Sequence, residues 1–359
     1  MSHLFRDLLK KVGSGPHTSK DLTREEAAIA TRLMLTQEAT PAQIGAFMIA
    51  HRIKRPTPEE LAGMLDAYDV LGPRLTALPN ARPMVFGIPY DGRSRTAPVA
   101  PVIALLLASV GYPVILHGGD RIPTKYGVPL VELWQGLGVD WQYPTLSQVQ
   151  HILEETGIGL VYLPHHFPEA QAMVRFRDEI GKRPPFATVE LFWCPYAGEA
   201  VVVSGYVHPP TEGLVQNTFA LRGIQSFITV KGLEGSCDLP RDRTAIIGVQ
   251  RPHAEFERHL LHSRDYDLHG LEVSLPPTDT LIEQMLAALS GAENELTPAI
   301  FWNGGFYLWQ CGAATSVQEG IILTQELLRS GQAMAKLEAL RRTLFALTDP
   351  HRSTVMAER

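Results

Sequence analysis

Pro83-Met84-Val85-Phe86-Gly87, then Ile88-Pro89-Tyr90-Asp91-Gly92-Arg93-Ser94-Arg95-Thr96, then twenty residues without a charge from Ala97 to Leu116: this run decides the fold. The first five residues read as a short apolar strand ending in glycine. The uncharged stretch is long enough in principle to cross a bilayer. Pro98, Pro101, Gly111 and Pro113 interrupt it, however. It reads instead as a buried helix (about Val99 to Val110), a turn at Gly111-Tyr112 and a buried strand at Pro113 to Leu116. Further strands are expected at Gly157 to Leu163, Glu199 to Tyr206, Ser226 to Val230, Thr244 to Val249 and Leu271 to Leu275. Helices are expected at Asp279 to Leu289 and along the run from Val317 to Leu347. Continuous apolar strands alternating with helices predict an α/β domain around a largely parallel sheet.

Upstream of this run the pattern is helical. Thr23 precedes Glu25 and Glu26, Thr40 precedes Pro41, and Thr57 precedes Pro58, Glu59 and Glu60. Each is a capping residue followed by residues suited to a first helical turn. Apolar positions such as Ala27, Ala30, Leu33 and Met34 then recur at helical spacing. The fold class expected is therefore α/β, with a small N-terminal helical domain and a larger α/β domain.

The chain has 359 residues, 45% hydrophobic and 19% charged, with a net charge of −6. That length suggests two domains, or one large domain with an appendage, and that composition excludes a mainly disordered chain. An acidic balance disfavours a DNA-coating protein, which needs a broad basic face. Cys194, Cys237 and Cys311 are odd in number and far apart, as in a protein with reduced thiols. The N-terminus carries charges where a signal peptide has its apolar stretch, so a cytoplasmic protein without a membrane partner is expected.

Two loops follow strands, where open α/β sheets bind ligands. The first, Gly87 to Thr96, holds Asp91, Gly92, Arg93, Ser94, Arg95 and Thr96 just before a helix. Such a loop can present free N–H groups to phosphate. The second runs from His117 and Gly118 to Lys125 and Gly127. Between Arg82 and Lys125, five basic residues (Arg82, Arg93, Arg95, Arg121, Lys125) face two acidic ones (Asp91, Asp120), which favours an anionic ligand. After the strand at Ser226 to Val230, Glu234 and Asp238 stand four residues apart; two carboxylates so placed can hold Mg²⁺ or simply form a polar turn. His165-His166 read as structural or loop residues, not a metal pair.

In order, these parts resemble the anthranilate phosphoribosyltransferase family. The segments LTREEA (22–27), EATPAQIGAFMIA (38–50) and RPTPEELAGM (55–64) look like its helical N-terminal domain. Gly87 to Asp91 sits where that family has G-T-G-G-D, and His117-Gly118 where it has K-H-G-N-R. Arg177, in FRDEIG (176–181), matches an arginine that faces the anthranilate carboxylate. Glu234 to Asp238 lies where the family has D-G-L-D-E, and NGGFYL (303–308) through SGQAMAKLEAL (330–340) closes the resemblance.

The resemblance implies domains at 1–76 and 77–359, with the helical segment near 166–182 joining the first in space. It implies phosphoribosyl transfer from 5-phosphoribosyl diphosphate to anthranilate or another small acceptor, with Mg²⁺ on Glu234 and Asp238, in a homodimer joined through the N-terminal helices. Gly87, Asp91, Gly92, Arg93, Ser94, Arg95, Thr96, His117, Gly118, Lys125 and Arg177 are then the substrate-binding candidates. The ligand loops depart from the pattern. Pro89 and Tyr90 replace two glycines, Leu116 replaces a lysine, and Cys237 replaces a metal-binding aspartate. A divergent member is therefore expected. The alternative is a non-catalytic homologue on this scaffold that binds nucleic acid or another anionic ligand.

Overall fold

The computed structural model describes residues 3–15 and 17–348. Met1, Ser2, Pro16 and 349–359 are outside the described residues, and with them the first two positions of the charged N-terminal stretch. Four helices come first: α1 (His3–Gly13), α2 (Arg24–Leu35), α3 (Pro41–Lys54) and α4 (Pro58–Leu71). Thr23, Thr40 and Thr57 each accept a hydrogen bond from the N–H three residues on, while Glu26, Gln43 and Glu60 reach back to the threonine N–H. That reciprocal box satisfies donors a helix start leaves open. Phe5 of α1 packs on Phe47 of α3, with ring centroids 5.3 Å apart.

One seven-stranded sheet follows: β1 (Met84–Gly87), β2 (Val114–Gly118), β3 (Ile158–Tyr162), β4 (Val201–Gly205), β5 (Phe227–Val230), β6 (Ala245–Gln250) and β7 (Glu257–Leu261). Their spatial order is β3-β2-β1-β4-β5-β6-β7. Pairing is parallel from β3 across to β5 and antiparallel from β5 through β6 to β7. The chain runs outward from β1 to β2 and β3, then returns to place β4 on the other side of β1. That reversal is a topological switch point, where a crevice opens beyond the carboxyl ends of the strands.

Helix α5 (Ala100–Ser109) is buried along nearly its whole length, as an uncharged helix beneath a sheet must be. The connection from β2 to β3 carries α6 (Leu130–Gly136) and α7 (Leu146–Thr156). Four short helices, α8 (Leu163–His166), α9 (Pro168–Gln171), α10 (Val174–Glu179) and α11 (Phe186–Phe192), then lead back toward the N-terminal helices. The remaining helices are α12 (Pro210–Leu221), α13 (Thr278–Leu289), α14 (Thr297–Gln310), α15 (Val317–Arg329) and α16 (Gln332–Thr348). Among the described residues no helix is long and apolar enough to cross a membrane.

Two strand readings are corrected. Leu271 to Leu275 is not a sheet strand; it pairs with the β1 loop through one bridge, Ser274 to Thr96, and through Ala97 N–H to Val273 O and Leu275 N–H to Arg95 O. Strand β7 was not expected, because Glu257-Arg258-His259-Leu260-Leu261 has no apolar alternation. It is an edge strand held by its backbone ladder to β6. The run from Val317 to Leu347 divides into α15 and α16 at Ser330-Gly331.

Candidate functional site

The loop leaving β1 folds into the crevice at the switch point. Its first turn is tied to α11: Tyr90 N–H donates to Glu190 Oε2 at 3.2 Å. The Tyr90 hydroxyl lies 2.6 Å from His117 Nδ1 at the end of β2, and both side chains are buried. Burial pulls the His117 imidazole down to about 3, and its ring lines a small cavity with the Tyr90 hydroxyl against Nδ1.

Asp91 is fully buried, and neither carboxylate oxygen accepts a hydrogen bond. Three cations surround it: Lys125 Nζ at 3.6 Å, Arg177 Nη2 at 3.5 Å and Arg183 Nε at 3.4 Å. Arg177 Nη1 donates to Glu190 Oε1 at 2.6 Å. Burial raises the Glu190 carboxyl above its usual range, against the pull of Arg177 and Arg183. Burial likewise lowers the Lys125 ammonium, with Asp91 and Glu234 opposing.

Glu234 faces the other half of the loop. Its Oε1 accepts from Arg95 N–H at 3.0 Å, Thr96 N–H at 3.0 Å and the Thr96 hydroxyl at 3.0 Å. Its Oε2 accepts from Ser94 N–H at 3.2 Å and the Ser94 hydroxyl at 3.1 Å. Burial opposes the charge, yet the Arg95 N–H, the Arg93 guanidinium and the Ser94 and Thr96 N–H groups hold this carboxyl down to about 2. The N–H groups expected to cradle phosphate do converge, but on this glutamate. Arg93 is buried between two acids: Nη1 donates to Asp238 Oδ2 at 2.6 Å and to Ser236 Oγ at 2.8 Å, and Nε lies 3.4 Å from Glu234 Oε1. Asp238 Oδ2 also accepts from Val99 N–H at 3.3 Å, where α5 begins. A carboxylate there complements the positive end of that helix.

Two small cavities of about 30 Å³ each flank this charge lattice. One is bordered by Gly92, Arg93, Gly118, Ser236 and Asp238. The other has apolar walls, Met48, Tyr68, Ile122, Met173 and Phe186, and ends on Arg177 and Glu190. Both include Tyr90 and Gly119 in their lining. Gly87 sits beneath them, its Cα so close to α11 that a Cβ would lie 2.1 Å from Leu191 O.

The structure therefore gathers Gly87, Asp91, Gly92, Arg93, Ser94, Thr96, Gly118, Lys125, Arg177, Glu234 and Asp238. It turns Arg95 outward, its side chain 78% exposed. Glu190 and Arg183 were missed. A lone glutamate in the apolar run FATVELF (186–192) was the available signal, since a buried charge requires a partner. His166 is structural, as read: its Nδ1 accepts from Tyr162 N–H and its Nε2 donates to Pro144 O.

A helical bundle beside a sheet with a crevice at its switch point defines a class: the chain belongs to the glycosyl transferase family, matching its helical bundle domain at residues 6–69 and its a/b domain at residues 92–334. Within that family it is similar to anthranilate phosphoribosyltransferases. The protein of that name from Symbiobacterium thermophilum is 26% identical over 94% of this chain and 97% of its own length. The one from Paracidovorax citrulli is 23% identical over 89% and 92%. Solved structures share the fold. The Saccharomyces cerevisiae anthranilate phosphoribosyltransferase in complex with PRPP and Mg has a TM-score of 0.81 at 16% identity, covering 96% of this chain and all of that one. The Thermus thermophilus structure has 0.73 at 22%, covering 94% and 99%.

That yeast complex contains Mg, so the fit of this chain to the ion follows from its oxygens. Glu234 already accepts six hydrogen bonds and Asp238 is bound to Arg93 and Val99 N–H. Among the described residues no three His, Cys, Asp or Glu side chains group as ligands. The guanidinium of Arg93 stands between the two carboxylates expected to hold the metal, and the pair as arranged does not fit Mg²⁺.

Proposed function

We propose that this chain is a divergent phosphoribosyltransferase that moves the phosphoribosyl group of 5-phosphoribosyl diphosphate to anthranilate or another small acceptor. The observation that carries the reading is the pair of cavities sharing Tyr90 and Gly119, one beside Gly92 and Arg93 of the cationic loop and one mostly apolar that ends on Arg177 and Glu190. In such a transfer the C–O bond to diphosphate breaks with its electron pair leaving on oxygen, and the acceptor nitrogen forms the new C–N bond and loses a proton. The ribosyl centre becomes cationic in between. Asp91, buried among Lys125, Arg177 and Arg183 with neither oxygen accepting a hydrogen bond, is the group whose charge opposes that cation. Lys125 and Arg93 neutralise the leaving group, and Arg177 orients the acceptor. We further propose that the chain acts as a homodimer joined through α1–α4, on which Leu4 and Ile53 are exposed.

The test is calorimetric titration with 5-phosphoribosyl diphosphate, followed by product analysis with anthranilate and other aromatic amines. A binding heat and a phosphoribosylated product are expected. No heat at millimolar donor sinks the reading.

A further inference from the structure

We propose that Glu234 is a built-in occupant of an oxyanion site. Its carboxylate fills the nest made by the backbone N–H groups of Ser94, Arg95 and Thr96, and a diphosphate or phosphate ester binds by displacing it. Arg93, not a divalent cation, supplies the adjoining positive charge. The ligand class rests on the phosphoribosyl-transfer reading; the geometry does not.

Three consecutive N–H groups within 3.2 Å of one carboxylate, with the hydroxyls of Ser94 and Thr96, all donate to it. Concave N–H arrays of this kind select anions. Lys125 Nζ, 3.5 Å from Glu234 Oε2, adds a cation on the side of Asp91. An anion arriving from outside meets every contact that the carboxylate now makes.

The turn that delivers Glu234 is rigid. A Cβ on Gly232 would lie 1.9 Å from Ser236 O, and one on Gly205 would lie 2.3 Å from Gly235 O, so turn and strand are in direct backbone contact. Ser236 Oγ closes the turn onto Leu233 O at 2.8 Å. Glu234 itself has φ 54 and ψ 20, a left-handed conformation in which glycine is at ease and glutamate is not. Displacement is therefore a rotation of one side chain over a fixed turn. Arg93 stays behind on Asp238, keeping a guanidinium where two carboxylates would otherwise bracket a metal.

Calorimetric titration of the full-length chain with inorganic pyrophosphate, in EDTA and again in Mg²⁺, tests this. Glu234→Gly removes the carboxylate and suits the left-handed backbone; Glu234→Gln removes only the charge and keeps the side chain's bulk. Both variants should bind pyrophosphate about tenfold tighter or more than the unsubstituted chain, equally in EDTA and Mg²⁺. Unchanged or weaker affinity in both variants overturns the proposal. So does binding that needs Mg²⁺ and disappears in the variants, since Glu234 would then be a metal ligand. If pyrophosphate tightens while no phosphoribosyl product forms with any acceptor, the transferase reading alone fails. Product formation with unchanged pyrophosphate affinity sinks the displacement alone.

Discussion

Glu190 sets the terms on which the apolar cavity accepts a ligand. It holds Arg177 Nη1 at 2.6 Å inside a pocket whose other walls are mostly apolar. An aromatic carboxylate entering there brings a second negative charge to one guanidinium, and two buried carboxylates in contact repel. A hydrogen bond to a charged group contributes about 1.5–3 kcal/mol. Glu190→Gln should therefore tighten anthranilate binding by about tenfold or more, and Arg177→Ala should abolish it. Titration of both variants alongside the unsubstituted chain decides the matter; three equal affinities would falsify the assignment of this pocket to the acceptor. Arg177 was legible in the sequence because FRDEIG (176–181) carries it in a recognisable frame. Glu190 was not, because its meaning depends on a partner thirteen residues away that only the folded chain brings to it.

At the scale of elements, the N-terminal helices are joined by one buried acid. Glu60 of α4 accepts from Lys54 Nζ of α3 at 2.8 Å and from Leu22 N–H ahead of α2 at 2.9 Å, with His51 Nε2 at 3.2 Å. Burial opposes its charge, yet His51, Lys54 and the Leu22 N–H together bring the carboxyl down to about 2 from a usual value near 4.5. A folded value below the unfolded one means stability that is fully present above about 4.5 and is lost as pH falls toward 2. Urea unfolding between pH 6 and 3 should show this loss, with a shallower dependence in Glu60→Gln. Identical slopes for the two proteins would remove Glu60 as the clasp. The helices were readable from Thr23, Thr40 and Thr57, whose capping is local. The clasp was not, since Thr57-Pro58-Glu59-Glu60 reads as a cap whether or not its last residue also reaches Lys54 and Leu22.

For the whole molecule, the α/β architecture was carried by local apolar runs and by the punctuation of Ala97 to Leu116. The interior of the crevice was not, because the same residue types that bind an external anion can bind one another. Arg93, Lys125 and Arg177 are where a cationic site was expected, and Glu234, Asp238, Asp91 and Glu190 already attend to them. The proposed homodimer belongs to this scale. Light scattering coupled to gel filtration should give twice the chain mass of 39.6 kDa, and a charged substitution at the exposed Ile53 should return it to one. A single-chain mass before substitution ends that proposal.

The two margins of the sheet are treated differently, and this bears on how the protein behaves at high concentration. Strand β3 has all five residues buried, so its free edge is covered. Strand β7 is open, but it carries Glu257, Arg258 and His259, with Glu257 bound to Arg251 and Arg258 to Glu212. A second sheet adding itself there would have to strip water from those ions and break those pairs. Strand-by-strand polymerisation, the hazard of any open sheet, is blocked at one margin by cover and at the other by charge.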